Sequence, residues 1–474
     1  MGPRGSPRPG GPVRVSQRAR VDPARLVAYE ALAAVHRDDA YANLVLPRLL
    51  REHGDRDAAF ATELTYGTLR QRGQLDAVLA QAAGRPVERI DPPARDALRL
   101  GAYQLLHTRV PPHAAVATTV DLVRAVFPAA AGFANAVLRR VAEHDLAGWL
   151  AQLAPDRTSD PVGHLALVHS HPQWTVRAFA EALHEDLTGE LAETEAALAA
   201  DNERPGVHLC ARPGRVDAAD LARDVHGDVG AFSPYAVYLP DGAPARIRAV
   251  AQGRAHVQDE GSQLVALAAV EAPLADGVGS RWLDLCAGPG GKAALLGALA
   301  AQRDARLTAV EVAPHRASLV ERAVAGLPVR VLTVDGRAVG EHPELPEAGF
   351  DRVLLDAPCT GLGALRRRPE ARWRRQPSDL PPLTRLQREL LGAALRAVRP
   401  GGVVAYVTCS PHRVETAVSV GEAVRRSSST VETLDARAAL PPGVPALGDG
   451  PTVQLWPHRH GTDAMFLALL RRTS

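Results

Sequence analysis

Residues 282–292 read Trp282-Leu283-Asp284-Leu285-Cys286-Ala287-Gly288-Pro289-Gly290-Gly291-Lys292, and the fold of this chain turns on them. The first four form a short, largely apolar run suited to a buried strand. The glycine-rich turn and helix start that follow complete the parts of a nucleotide-type site. Glycine lets a ligand approach the backbone, and a helix N-terminus offers free N–H groups to an anion. Two commoner loops do not fit. A P-loop needs glycine where Cys286 stands and Ser or Thr where Ala293 stands. The dinucleotide fingerprint needs glycine at Ala293 as well.

Working outward, the pattern from about residue 254 alternates strands with helices. Strands are expected at 281–285, 306–310, 329–333, 351–355, 403–408 and 465–470. A helix is expected at 383–398, with Leu386, Leu390, Leu391 and Ala394 on one face. This is the signature of a doubly wound α/β sheet, whose ligands gather at the carboxyl ends of the strands. Acids and thiols stand at those ends. Glu311 follows the second strand, about 20 residues after the glycine loop, and suits hydrogen bonds to ribose hydroxyls. Asp335 follows the third. Asp356-Ala357-Pro358-Cys359 follows the fourth, and Thr408-Cys409-Ser410 the fifth. That edge gathers two thiols and a carboxylate, the parts of a covalent mechanism.

The amino-terminal half is different. Residues 1–20 are rich in Gly, Pro and Arg, contain no acid, and read as a disordered basic arm able to touch phosphates. Residues 21–146 show helical spacing broken at Gly54, Gly84-Arg85-Pro86, Pro92-Pro93, Pro111-Pro112 and Pro128. Five to seven helices are expected. Residues 147–195 read as a helical connector, and 200–250 as a small α+β module with Cys210 buried in a strand.

Composition narrows the class. The formal net charge is only +2, so any nucleic-acid binding rests on charge placement. No run approaches the roughly 18–20 apolar residues of a membrane span, and no signal-peptide core is present, so a cytoplasmic protein is expected. The four cysteines, Cys210, Cys286, Cys359 and Cys409, form no C-x-x-C pair, and neither a zinc site nor a disulfide framework is expected. Arginine almost wholly replaces lysine. The single lysine is Lys292, inside the glycine loop, where an ammonium can meet an anion.

Several motifs carry a resemblance. Residues 57–70, Asp-Ala-Ala-Phe-Ala-Thr-Glu-Leu-Thr-Tyr-Gly-Thr-Leu-Arg, and residues 133–140 resemble the NusB-like RNA-binding domain found ahead of certain rRNA methyltransferases. The bland alternative is an ordinary bundle in which Arg70, Arg72, Arg139 and Arg140 form a solvated face. The glycine loop resembles the first motif of S-adenosylmethionine-dependent RNA cytosine-C5 methyltransferases, with Gly288 where that family usually has Ala. The Asp356–Cys359 and Thr408–Ser410 motifs resemble its two-cysteine signature. In domain order the chain resembles the RsmB-type (Sun/Fmu) 16S rRNA cytosine-C5 methyltransferases.

The resemblance implies a multidomain fold. An all-α NusB-like bundle (21–146) would follow the arm. A helical and α+β connector (147–253) would lead to an α/β Rossmann-like class I methyltransferase domain (254–474). It implies S-adenosylmethionine held by Cys286, Ala287, Gly288, Pro289, Gly290, Gly291, Lys292, Glu311, Asp335 and Asp356. It implies Cys409 as the nucleophile at cytosine carbon 6, Asp356 at N3, and Cys359 assisting proton removal and release. The run from Arg366 to Arg375 follows the first thiol motif, and Arg367, Arg368, Arg372 and Trp373 are candidates to hold RNA. The expected partner is 16S rRNA, with a monomeric enzyme and no metal. His458 and His460 lack the partners a metal needs. A tRNA substrate, or a non-catalytic RNA-binding or antitermination factor, remains the alternative.

Overall fold

The computed structural model of the chain describes residues 21–240, 244–277 and 279–474, so the basic arm at 1–20 lies outside the described residues. The chain forms two compact units. One runs to Gln173 and takes in Arg368–Arg372; the other comprises Trp174–Arg367 and Trp373–Ser474.

The first unit is helical. Helices span Pro23–Arg37, Ala42–Leu49, Asp55–Arg70, Arg72–Ala83, Pro92–His107, Pro112–Val126 and Ala131–Val141. Local chemistry sets their ends. Asp22 caps the first by accepting from Arg25 N at 3.0 Å, with Pro23 in the opening turn. Gly84, at φ 66°, closes the fourth in the left-handed conformation that glycine adopts without strain. Leu32, Leu64, Leu75, Leu79, Leu98, Leu122 and Leu138 fill the core. Gly67 belongs to the quoted 57–70 motif and has a packing reason. A Cβ there would lie 2.0 Å from the Tyr103 ring, so only glycine lets these helices approach. Residues 147–173 pack with this unit, because Trp149 is buried in its core and Gly73 N donates to Ser170 Oγ at 2.8 Å. Arg70, one of the four arginines of the solvated-face alternative, is buried.

Arg368–Arg372 supplies charged caps inside the same unit. Glu370 Oε1 accepts from Ala42 N at 3.2 Å, at the start of Ala42–Leu49. Arg372 is fully buried and donates to the carbonyl of Arg70, at the end of Asp55–Arg70, at 3.0 Å. An acid at a helix N-terminus and a cation at a C-terminus both oppose the helix dipole. Arg372→Ala would orphan buried carbonyls and leave a cavity. We expect a loss of about 2–4 kcal/mol in this unit, read as a fall in Tm and in denaturant midpoint; an unchanged midpoint would refute the cap.

The second unit opens with helices Gln173–Leu183 and Ala192–Asn202, the first beginning at the boundary residue. A four-stranded antiparallel sheet follows, built from β1 (Val207–Ala211), β2 (Asp228–Val229), β3 (Ala236–Leu239) and β4 (Ala255–Val257) in the order β2-β3-β1-β4. Cys210 is fully buried within it. The larger sheet comprises β5 (Arg281–Asp284), β6 (Arg306–Val310), β7 (Val329–Leu332), β8 (Phe350–Asp356), β9 (Val398–Thr408), β10 (Val431–Leu434), β11 (Val453–Gln454) and β12 (Phe466–Arg472). Its order is β10-β12-β9-β8-β5-β6-β7, with β11 paired to β12. The strands from β9 to β7 are parallel, while β12 runs antiparallel to both neighbours. The chain winds outward through β6 and β7, then returns to the other side of β5 with β8. That reversal is the switch point at which doubly wound sheets bind ligands.

The expected strands are present to within a few residues, and the expected helix is Leu380–Ala397. The largest shift is at β9, which starts at Val398 rather than 403 because Arg399-Pro400-Gly401-Gly402 continues the strand through a register shift. Strands β10 and β11 carried no apolar run: β10 is a largely exposed edge strand, and β11 is two residues long.

Candidate active site

The site lies in the second unit, at the carboxyl ends of β5, β6, β8 and β9. Hydrogen bonds seat the glycine loop there, Leu285 N to Leu354 O at 2.9 Å and Ala287 N to Val310 O at 2.8 Å. Gly290, at φ 114°, precedes helix Gly291–Gln302, and a Cβ there would come within 2.7 Å of Ala323 Cβ. Both the backbone angle and the close approach require glycine. At Gly288 a Cβ would lie 2.1 Å from Glu311 Oε2, so the alanine usual in the resembling family would force the Glu311 side chain to turn.

Lys292 extends from that helix to Asp356 at the end of β8, Nζ to Oδ2 2.8 Å. Burial pulls the Lys292 ammonium down, but Asp356 foremost, with Cys409 and Asp284, outweighs it and holds the group above its ordinary value. Asp284, at the end of β5, is buried, and neither oxygen has a hydrogen bond; the Cys286 N–H approaches it short of good geometry. Burial, and then the like charge of Asp356, push Asp284 up to about 7 against the pull of Lys292. Cys286 is pushed well up, by burial foremost and then by Asp284, Asp356 and Glu311. A thiol so raised is chemically quiet.

The two other thiols meet. Cys359 Sγ and Cys409 Sγ are 3.4 Å apart, although 50 residues separate them in sequence. The Cys359 thiol is held well above its usual range, first by its hydrogen bond to Cys409, then by burial and by the charges of Cys409, Glu415 and Asp356. The structure therefore brings together Lys292, Asp284, Asp356, Cys359 and Cys409.

The remaining candidates divide. Glu311 is buried, accepts from Ala313 N at 3.0 Å, and lies 3.5 Å from Arg316. Asp335 lies three residues beyond β7, partly exposed, with Arg337 bonded to both its oxygens and holding it below the usual carboxylate range. Of the RNA candidates, Arg367 turns inward, to Asp259 Oδ2 at 2.6 Å, Asp463 Oδ1 at 3.0 Å and Gly206 O at 2.9 Å. Arg372 is the buried cap described above. Both differ from the phosphate-facing expectation: Arg372 is spent on a buried carbonyl and Arg367 on two buried carboxylates and the exposed Gly206 carbonyl, which a run of arginines in sequence does not reveal. Arg368 is exposed, over the Tyr41 ring, and Trp373 is half-buried. His458 and His460 bond Glu193 and the Pro445 carbonyl. Among the described residues no group of three or more His, Cys, Asp or Glu could hold a metal ion, and no helix is long and apolar enough to cross a membrane.

Three residues escaped sequence reasoning. Asp284 was legible in principle, as an acid inside an apolar strand. Val312, directly after Glu311, is a large apolar side chain left 63% exposed. Glu415, fully buried behind the thiols, had no sequence signal.

A doubly wound sheet with a glycine loop at its switch point, joined to a separate helical unit, is an architecture that RNA methyltransferases use, and comparisons with known proteins place the chain among them. Residues 272–471 match the family model described as 16S rRNA methyltransferase RsmB/F, and residues 22–143 match the NusB family. A Mycobacterium tuberculosis protein named as a methyltransferase is 59% identical, over 98% of this chain and 99% of its own. Ribosomal RNA small subunit methyltransferase B of Erwinia tasmaniensis is 30% identical, over 94% and 98%. The crystal structure of PH0851 superposes with a TM-score of 0.78 at 22% identity, covering 95% of this chain and 99% of that one. A methyltransferase homologue from Pyrococcus horikoshii gives 0.52 at 21%, covering 65% and 97%. The chain belongs to the RsmB/F family of 16S rRNA methyltransferases.

Proposed function

We propose that this protein methylates carbon 5 of a cytosine in 16S rRNA, using S-adenosylmethionine and a covalent bond between Cys409 and cytosine carbon 6. The observation that carries this reading is the pair of thiols 3.4 Å apart beside the Lys292–Asp356 ion pair. The residues present fit the cofactor. Asp284, buried without a hydrogen bond, would hold the ammonium of its amino-acid end. The Gly290–Lys292 helix start would receive its carboxylate, Glu311 the ribose and Asp335 the adenine. When bound, it supplies an electrophilic methyl group to carbon 5.

The protein's own groups make carbon 5 reactive. The Cys409 thiolate forms the bond to carbon 6. Electrons from the 5,6 double bond move into the ring as Asp356 passes to N3 a proton drawn from its ion-pair partner, the Lys292 ammonium 2.8 Å away, leaving carbon 5 enamine-like. The Lys292 ammonium faces Cys409 closely enough to respond to its charge, and a cation beside a sulfur favours the thiolate. After carbon 5 is methylated, Cys359 takes the carbon 5 proton. The double bond reforms, the Cys409 thiolate leaves, and the N3 proton returns through Asp356 to Lys292. In the free site Cys359 is held as a thiol, chiefly by Cys409. Once Cys409 is tied up in the adduct, that hold is gone and Cys359 can lose its proton to water and act as the base. Thiols that must stay reduced suit a cytoplasmic enzyme, and all these groups come from one chain, as a monomer requires.

Incubating the full-length protein with 16S rRNA, tRNA and labelled S-adenosylmethionine, followed by bisulfite sequencing, tests the reading. One new 5-methylcytosine in 16S rRNA is expected. Methylation of tRNA alone would overturn the substrate, and label outside cytosine carbon 5 would overturn the chemistry.

Cofactor binding should also depend on pH. Asp284, at about 7 in the free site, must be ionised to receive an ammonium, and binding therefore releases a proton below pH 7. Affinity for S-adenosylhomocysteine should be flat above pH 7 and fall by up to about tenfold per unit below it. Calorimetry across pH 5.5–8.5 checks this, with Asp284→Asn expected to bind weakly and without the slope.

A further inference from the structure

Behind the two thiols lies a carboxylate to which the chemistry above assigns no task. Glu415 follows β9 in the turn Arg413–Glu415 and is completely buried. Its Oε1 accepts from the backbone N–H of Thr360 at 2.8 Å and from Gln387 Nε2 at 3.1 Å. Its Oε2 accepts from the hydroxyls of Thr360, at 2.5 Å, and Ser410, at 2.7 Å. Thr360 directly follows Cys359, and Ser410 directly follows Cys409. Gln387, on Leu380–Ala397, also donates to the carbonyl of Pro358 at 2.9 Å, one residue before Cys359. Tyr406, inside β9, donates its hydroxyl to the Glu415 carbonyl at 2.7 Å and so pins the base of the strap to the sheet.

We propose that Glu415 is a positioning residue that clamps the Cys359 turn to the Cys409 turn, holding both sulfurs in register to work on one base. The inference rests on the two-thiol reading above and deepens it. Glu415 touches neither reacting atoms nor any group assigned to the cofactor. A buried charge is costly, and an apolar side chain would often serve stability as well. What an apolar side chain cannot do is bond the residues after both cysteines at once. Four donors converging on two oxygens fix the separation of two loops that sequence places 50 residues apart. Without the clamp the turns keep the pairing of β8 with β9 and the backbone bonds from Ala357 N to Val407 O (2.8 Å) and Gly363 N to Cys409 O (2.9 Å), but lose the carboxylate that joins the residues directly after the two thiols and fine-tunes their 3.4 Å spacing.

The test uses full-length Glu415→Gln and Glu415→Ala with a 16S rRNA substrate. The expected result is a kcat lower by about 10- to 100-fold, as for misplacement on the order of an ångström, with KM for RNA and cofactor little changed. Gln, which keeps the shape and one acceptor, should retain more activity than Ala. The yield of Cys359–Cys409 bridging by dibromobimane, which joins neighbouring thiols, should fall in parallel, while Tm and S-adenosylhomocysteine binding confirm an intact fold. A folded Glu415→Gln with wild-type kcat and bridging would overturn the proposal. Ser410→Ala keeps Glu415 but removes one of its donors, and carries the test should neither Glu415 variant fold. It should lose roughly 3- to 10-fold in kcat, and wild-type kcat there would equally overturn the clamp. Cys409→Ala, assayed alongside, separates the two readings. Transfer by that variant removes the two-thiol chemistry and this inference with it, whereas a dead Cys409→Ala beside a fully active Glu415→Gln removes this inference alone.

Discussion

Cys409→Ala should abolish methyl transfer while leaving cofactor binding intact. Carbon 5 of cytosine is a poor nucleophile until a thiolate has added at carbon 6, and no other described thiol can substitute. Cys359 is 3.4 Å away but is held as a thiol, Cys286 is only partly buried but its thiol is pushed far up, and Cys210 sits fully buried in the other sheet. Removing the nucleophile of a covalent enzyme costs on the order of 10⁴-fold or more in kcat. Steady-state transfer to 16S rRNA, with S-adenosylhomocysteine affinity as the control, reads both quantities. Residual transfer within about tenfold of wild type would show that no covalent step is needed. Cys409→Ser makes the same point more gently, because a hydroxyl has the shape of the thiol but a much weaker anion.

Cys359→Ala should do the opposite of silencing the enzyme in its first turn. Cys409 still adds and carbon 5 is still methylated. The carbon 5 proton then has no base, so elimination stalls and the protein stays bonded to its RNA. We expect close to one RNA per protein surviving denaturing electrophoresis, and a turnover rate lower by about 10²–10⁴-fold, the usual contribution of a positioned general base. The complex should require S-adenosylmethionine and vanish in the double variant with Cys409→Ala. A variant that is merely slow, with no trapped complex, would place Cys359 before the addition step and not after it.

Much of this protein is written in stretches short enough to read directly. The strand–glycine–helix passage at 282–292, the acid of Glu311 about 20 residues on, and the apolar runs before Cys359 and Cys409 specify an α/β sheet and its ligand edge, because each signal is local. Proline and glycine mark the helical breaks of the first unit for the same reason. Edge strand β10 was not legible, since a partly solvated strand needs no apolar run. Nor was the placement of residues 147–173, whose composition does not reveal where Trp149 is buried.

The arginine run from Arg366 to Arg375 shows the limit most clearly. As sequence it is a basic patch. In the structure Arg367 neutralises Asp259 and Asp463, and Arg372 caps a helix, because the acceptors that claim them are supplied by segments more than 90 residues distant. Asp284 and Asp356 are likewise ordinary acids in sequence. Only the burial of Asp284, with the like charge of Asp356 beside it, brings its titration near neutrality, against the pull of Lys292. The sequence by itself determined the fold class, the glycine loop and which acids and thiols stand at the strand ends as candidates, because those are properties of short segments and side-chain chemistry. Tertiary structure alone decided the 3.4 Å meeting of the thiols, the Glu415 clamp behind them and the inward arginines, because each depends on atoms distant in the chain that only the folded backbone brings within bonding reach.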